Sequence, residues 1–316
     1  MNFTTKITIS KSVHPIDYDS KIVSLGSCFA VNMADKLDYF KFESDCNPFG
    51  IIFNPVSIEK LVYRIMHSII FTEKDIFFHN ESWHCYEVHS EISNPDKEEF
   101  LNSLNSISKQ AKQQISDATH FIITLGSAWV YRSIETNEVV ANCHKVPQKN
   151  FKKELLSIEE INQSIAHTIY LIRAINSNAH FILTVSPVRH LKDGFVENQV
   201  SKAHLITAIN QIVHYPLSTI NYFPSYEIMM DELRDYRFYA EDLLHPSQVA
   251  INYIWERFFE TTIAEESHST MEEIAYIQKG LAHRPLNVNS RSHQQFLLKL
   301  QSKIRTIQNQ FSRIEF

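Results

Sequence analysis

The sequence predicts a three-layer α/β sandwich with a mainly parallel sheet, followed by a helical C-terminal appendage. Three observations predict it. A continuous apolar run, Thr119-His120-Phe121-Ile122-Ile123-Thr124-Leu125-Gly126, follows a helix-period segment and ends on glycine. The same order recurs at Ala179-His180-Phe181-Ile182-Leu183-Thr184-Val185-Ser186-Pro187, after a second helix-period segment. A shorter run from Lys21 to Leu25 stops at Gly26-Ser27 and gives way to helix-like sequence between about Val31 and Leu37. Apolar runs without alternation read as strands buried on both faces, and helices between such strands make the sheet parallel. Ligands of parallel sheets gather at the C-terminal edges of the strands.

The first of these strand ends organises the rest. Glycine averages about 7% in proteins, yet this chain of 316 residues has only five, Gly26, Gly50, Gly126, Gly194 and Gly280. A glycine directly before Ser27 permits a tight turn or a close backbone approach that a Cβ would block. The helix that follows aims its free N–H groups at whatever the serine holds, which suits an oxyanion. The plain structural alternative is a serine that caps the helix.

The segments between read in order. Lys41 to Pro55 is a short strand and a loop with two Asn-Pro steps around Gly50. Ile58, Leu61, Val62, Ile65, Met66 and Ile69 recur at helical spacing behind a cap at Ser57. Phe77 to His89 is an aromatic- and histidine-rich edge ribbon or cleft wall, with structural histidines favoured over metal ligands. Asn94-Pro95 opens a helix with the stripe Phe100, Leu101, Leu104, Ile107, Ala111 and Ile115. Ser157-x-x-Glu160 is a capping box, flanked by Leu156 and Ile161 as a hydrophobic staple. Trp129–Phe151 and Val188–Gly194 read as polar loops at the cleft. A last strand falls within Asn221–Met230, and a wide-faced helix starts at Ser247.

The boundary of the main domain falls at residue 265, leaving residues 266–316 as the helical appendage. There Phe296, Leu300, Ile304, Ile307, Phe311 and Ile314 form a narrow stripe, which implies docking on the main domain or a homodimer through the C-terminal helix. The chain is 44% hydrophobic and 21% charged, in the ordinary range for a folded domain. A net charge of −6, with no basic run in the body of the chain, argues against nucleic acid as a partner. No stretch is long and apolar enough to span a bilayer, and Met1–Ser20 lacks the apolar core of a signal peptide, so the expected location is cytoplasmic. Cys28, Cys46, Cys85 and Cys143 are far apart and read as reduced thiols, and no metal or cofactor is expected.

Chemistry comes from pairing Ser27 with Glu241-Asp242-Leu243-Leu244-His245-Pro246-Ser247, where a carboxylate precedes a histidine by three positions. A serine hydroxyl needs a base, and a carboxylate fixes the tautomer of that base. Gly26-Ser27-Cys28-Phe29-Ala30 resembles the motif that names the GSCFA family, which is similar to the SGNH, or GDSL-like, hydrolases. The resemblance extends over roughly residues 15 to 265. It implies Ser27 as nucleophile, with Asp242 and His245 as acid and base in the Asp-x-x-His-Pro motif.

Two departures from the hydrolase pattern stand out. The polar residue usual between Gly and Ser is absent, and the Gly-x-Asn-Asp block appears as Gly126-Ser127-Ala128-Trp129, without its oxyanion asparagine. The expected oxyanion donors are the amides of Ser27 and of Gly50 or Gly126, with Asn142, or Asn47 near Gly50, as the replacement amide. Arg189 or His190 is expected to contact substrate. The resulting expectation is a serine esterase acting on an acetyl-like ester, of a small molecule or a carbohydrate. An O-acyltransferase for a carbohydrate hydroxyl and a non-catalytic binding module are the alternatives, and thiol chemistry at Cys28 is a third.

Overall fold

The computed structural model describes residues 4–213 and 219–316. In chain order the elements are β1 (Lys21–Gly26), α1 (Cys28–Tyr39), β2 (Glu43–Cys46), α2 (Pro55–Met66), β3 (Phe77–His79), β4 (Ser82–His84), α3 (Lys97–Asp117) and β5 (His120–Leu125). There follow β6 (Trp129–Ser133), β7 (Val139–Val140), β8 (Phe151–Leu155), α4 (Ile158–Arg173), β9 (His180–Val185), α5 (Phe195–Val213) and β10 (Ile220–Phe223). A short α6 (Ser225–Glu227) runs into a π-type turn at Ile228–Leu233, and α7 (Gln248–Thr262), α8 (His268–Leu281) and α9 (Arg291–Gln310) complete the chain.

The fold is α/β, and its central sheet has the order β10-β9-β5-β1-β2 with every pair parallel. Chain direction across the sheet reverses between β1 and β5, the place where open α/β sheets form a crevice. Alternation along the strands sorts the core into two layers. Val23, Leu25, Phe121, Ile123, Phe181 and Leu183 face α2, α3, α4 and α5. Ile22, Ile122 and Ile182 face α1, α7, α8 and α9.

Local chemistry explains most boundaries. Ser157 and Glu160 form both halves of the capping box at α4. The cap of α2 is Asn54 rather than Ser57, because Pro55 fits the first helical position and the Asn54 side chain accepts from Ser57 N at 2.8 Å. Asp96 likewise caps α3 one residue past Pro95. The last strand is cut to four residues and followed by helical turns, with Pro224, which has no N–H to offer a ladder, at its end. Trp129–Phe151 is not simply a loop: it supplies β6, β7 and the start of β8 in the antiparallel sheet β7-β6-β8. Its charged residues pair across strands, as Arg132 does with Glu154 at 2.8 Å, so the segment lacks the apolar pattern of a buried strand.

The C-terminal stripe is spent on the chain's own core. Leu300, Ile307 and Ile314 are buried in the layer that holds α1 and α7. Arg313 donates to the carbonyls of Tyr18 (2.7 Å) and Lys41 (3.0 Å), which fastens the end of the chain to the main sheet. Among the described residues no helix is long and apolar enough to cross a membrane.

Three imidazoles meet near the N-terminal edge of β5 and β9. His14 stacks on His180 with ring centroids 3.8 Å apart, and His120 lies 5.3 Å from His180. Burial lowers the pKa of His120, and burial followed by the neighbouring imidazoles lowers that of His180 to about 4. Both rings are therefore neutral in the folded chain, whereas an unfolded histidine gains its proton near pH 6.5. Stability from this cluster is present above about pH 6.5 and is lost as pH falls toward about 4. The melting temperature should drop between pH 7.5 and pH 5, and His180→Phe, which keeps a ring but not the titration, should flatten the drop. Parallel pH profiles for the two proteins would count against the cluster as their source.

Candidate active site

Ser27 stands where β1 meets α1. Gly26 has φ +138°, and a Cβ there would sit 2.1 Å from Thr124 O, so only glycine lets β1 end against β5. The backbone then ties itself off: Gly26 N donates to Asn47 Oδ1 (2.8 Å) and Ser27 N donates to Thr124 O (3.0 Å). Ser27 caps α1, with its Oγ accepting from Phe29 N at 3.3 Å, and is 2% exposed. The capping geometry anticipated as the plain alternative is thus present, at the sheet's switch point.

The carboxylate and imidazole form a closed pair. Asp242 Oδ1 accepts from Leu244 N (2.9 Å) and His245 N (3.0 Å), and Asp242 Oδ2 lies 2.5 Å from His245 Nδ1. The backbone amides of His245 and Leu244, then the imidazole, push the Asp242 carboxyl down to about 2. Leu243 takes a left-handed φ of 58°, in the turn whose amides Asp242 caps. With Nδ1 facing the carboxylate, the proton resides there and Nε2 keeps its lone pair. Arg189 fastens this loop to the segment after β9, its N donating to Leu244 O at 3.1 Å and its Nη1 to Leu243 O at 3.3 Å. The rings of Phe195, Tyr236 and Tyr239 surround its guanidinium at 5.2 to 5.5 Å.

Beneath both parts lies a polar patch on the buried face of α5. Asn198 Oδ1 accepts from His190 N (2.9 Å), and Ser201 Oγ accepts from Ala128 N (2.8 Å). Lys202 Nζ donates to Gly126 O (2.7 Å) and Ser186 O (2.8 Å), joining the ends of β5 and β9. Burial, then the charges of Lys202 and His245, lowers the His190 pKa to about 3, so this ring is neutral, and its buried Nε2 has no hydrogen-bond partner among the described residues. Burial pushes the Cys28 thiol up, although the amides of Cys28 and Phe29 and the Lys202 charge pull it down. That disfavours a thiolate nucleophile at Cys28. The field of Asp242 also reaches Cys28. Cys28, Lys202, His190, His245 and Asp242 therefore share one electrostatic neighbourhood.

Ser27, Gly126 and His190 follow the ends of β1, β5 and β9, and Arg189 fastens the Asp242–His245 loop to the last of these, but Ser27 Oγ makes no hydrogen bond to His245 among the described residues. Two expected oxyanion donors are engaged elsewhere: Gly50 N donates to Asn47 O and Gly126 N to Phe53 O, each at 2.8 Å. The Ser27 amide is likewise engaged with Thr124. Asn142 accepts from His144 N at 2.8 Å in the turn after β7, and none of its hydrogen bonds leads to Ser27. Asn47 is placed differently. Gly26 N–H fixes which atom is its oxygen, and the remaining Nδ2 is buried without a partner among the described residues. Asn198, Ser201 and Lys202 escaped the reading of the sequence, although they continue the stripe of Leu205, Ala208, Ile209 and Ile212 at helical spacing and are polar where that stripe demands apolar residues.

A family model described as the GSCFA family matches residues 21–258, and one described as GSCFA domain protein, C-terminal domain, matches residues 274–316. The chain belongs to the GSCFA family. No curated protein matches it. In this GSCFA chain the five name-giving residues have separate physical tasks. Gly26 allows the approach to β5, Ser27 caps the helix, Cys28 occupies its half-buried first position, and Phe29 and Ala30 are buried in the core. The C-terminal match covers most of α8 and all of α9.

Because the obstacle at Gly26 is backbone rather than a movable side chain, Gly26→Ala should cost about 2–4 kcal/mol of stability. Denaturant unfolding of the purified variant measures it. A midpoint equal to that of the parent protein would refute the close-approach account.

Proposed function

We propose that this GSCFA protein is a serine esterase of the SGNH type that cleaves a short, acetyl-like acyl ester. The observation that carries this reading is the Asp242–His245 pair, whose carboxylate is held by two backbone amides and sets the imidazole tautomer, at the sheet edge that also presents Ser27. His245 Nε2 takes the Ser27 proton as Oγ attacks the ester carbonyl. The same proton goes to the departing alcohol; water, deprotonated by His245, then adds to the acyl carbon, and His245 returns that proton to Ser27 Oγ as the acid leaves. A sugar hydroxyl in place of that water makes the site an O-acyltransferase. Ser27 Oγ only accepts from Phe29 N and keeps its own hydrogen to donate to His245, and catalytic hydrogen bonds commonly tighten only when substrate binds.

Asn47 Nδ2 is the oxyanion donor in this scheme, in the role first expected of Asn142. It is a buried donor with no protein partner, and leaving such a group unpaired is costly unless it serves a ligand. The cavity of about 20 Å³ that Asn47 also borders lies in the core under α2 and α3, among Val23, Leu25, Ile58, Leu61, Ile65 and Ile115. The four free cysteines fit a cytoplasmic setting. A homodimer through α9 would have to use its outer face, where Leu297 and Leu298 are exposed.

A binding module is the second reading, favoured by the burial of Ser27 and its use as a helix cap. Turnover of nitrophenyl acetate decides between the two. Ser27→Ala and His245→Ala should each abolish it. Asn47→Ala should lower turnover by about 10²–10³ with little change in KM, while Asn142→Ala leaves it intact. Equal rates from the parent protein and Ser27→Ala would establish the binding module instead.

A further inference from the structure

Lys202 is 1% exposed in the middle of α5, and among the described residues no carboxylate pairs with it. Burying an ammonium without a counter-charge is expensive, and a methionine would fill the same volume at lower cost. What the charge meets instead is specific. Two of its three N–H groups go to Gly126 O and Ser186 O, the first carbonyls past β5 and β9. The Tyr226 ring lies 5.4 Å from Nζ. The ionisable groups that feel it are Cys28 on α1, beside Ser27, and His190 in the loop after β9, with Asp242 and His245 reaching the same two residues from the Asp-x-x-His loop.

We propose that Lys202 is a positioning residue of the acyl-transfer site: its ammonium ties the ends of β5 and β9 together below Ser27 and sets a positive potential against the developing oxyanion. This rests on the esterase reading for its catalytic half, but not for its electrostatic half. The tie holds Gly126 and Ser186, from which the segments bearing Ala128 and His190 depart, so its loss displaces both walls of the site. Fixed positive charge in a water-poor site stabilises an anionic intermediate without reorganisation. Burial lowers the Lys202 pKa to about 7, so the charge is present below neutrality and is lost as pH rises through that value.

The experiment uses the full chain with Lys202→Met and Lys202→Arg, and reads two signals. In nitrophenyl acetate turnover, the parent protein should lose rate as pH rises above about 7. Lys202→Met should lose about 10² in kcat with KM nearly unchanged and show no alkaline decline of its own, whereas Lys202→Arg, charged at every accessible pH, should recover part of the rate and also lack the decline. The second signal is alkylation of Cys28 by iodoacetamide, followed by mass spectrometry in the Ser27→Ala background, where ester cleavage plays no part. Removing the charge should slow alkylation at pH 7 several-fold, and arginine should restore it. If the parent protein hydrolyses no ester while the alkylation pattern holds, the esterase reading fails and the electrostatic assignment stands. If alkylation and the pH profile are the same in Lys202→Met as in the parent, Lys202 is a structural tie only and the proposal is overturned. Should Lys202→Met not fold, Lys202→Arg against the parent protein still decides it, by the presence or absence of the alkaline decline and of the matching change in Cys28 alkylation.

Discussion

The close approach of β1 to β5 at Gly26 is the constraint on which the site depends. With no side chain at that position, the strand end lies against Thr124, and Ser27 N finds its partner on the neighbouring strand. The same step turns Gly26 N toward Asn47, which couples the end of β1 to the end of β2. Helix α1 then starts where the sheet reverses direction, with Ser27 accepting from its Phe29 and Ala30 amides. Any side chain at Gly26 would disturb the cap, the switch point and the Asn47 carboxamide together, because the adjacent amides of Gly26 and Ser27 bond to Asn47 Oδ1 and Thr124 O.

The second half of the edge is organised from below rather than along the chain. Helix α5 interrupts its apolar stripe with Asn198, Ser201 and Lys202, and between them they bond to the backbone of the two segments that leave β5 and β9. Strand ends in a parallel sheet leave carbonyls and amides that the ladder no longer satisfies. A buried polar patch answers that need, and it also fixes where the loops after β5 and β9 depart. Arg189 carries the connection onward to the Asp-x-x-His loop through the carbonyls of Leu243 and Leu244. The result is a chain of contacts from the middle of α5 to His245.

Electrostatics separates the groups of this edge by role. Asp242 is held ionised by backbone amides, while burial keeps His190 neutral and the Cys28 thiol protonated. The serine reading is thereby favoured over the thiol reading at adjacent positions of one motif. Asn47, whose oxygen is committed to Gly26, keeps its nitrogen for a partner that the fold does not supply.

Much of the fold was legible because burial leaves a periodic trace. The runs at Lys21–Leu25, Thr119–Gly126 and Ala179–Pro187 are buried on both faces, and they became β1, β5 and β9. The Ser157–Glu160 box and the serine before α7 were equally readable, since a cap is a contact within four residues. The antiparallel sheet in Trp129–Phe151 was not, because its strands are half-exposed and satisfied by cross-strand charge pairs that look like loop sequence. At the site, the sequence by itself determined the residue types: a serine at a strand end, a carboxylate three before a histidine, and a missing asparagine. Only the tertiary structure decided which amides are already engaged, that Asn47 rather than Asn142 has a free buried donor, and that a lysine from α5 lies beneath them. The Gly26–Asn47 and Gly126–Lys202 contacts join residues 21 and 76 positions apart, whose partners no local pattern names, and they exist only once the sheet has brought its strand ends together.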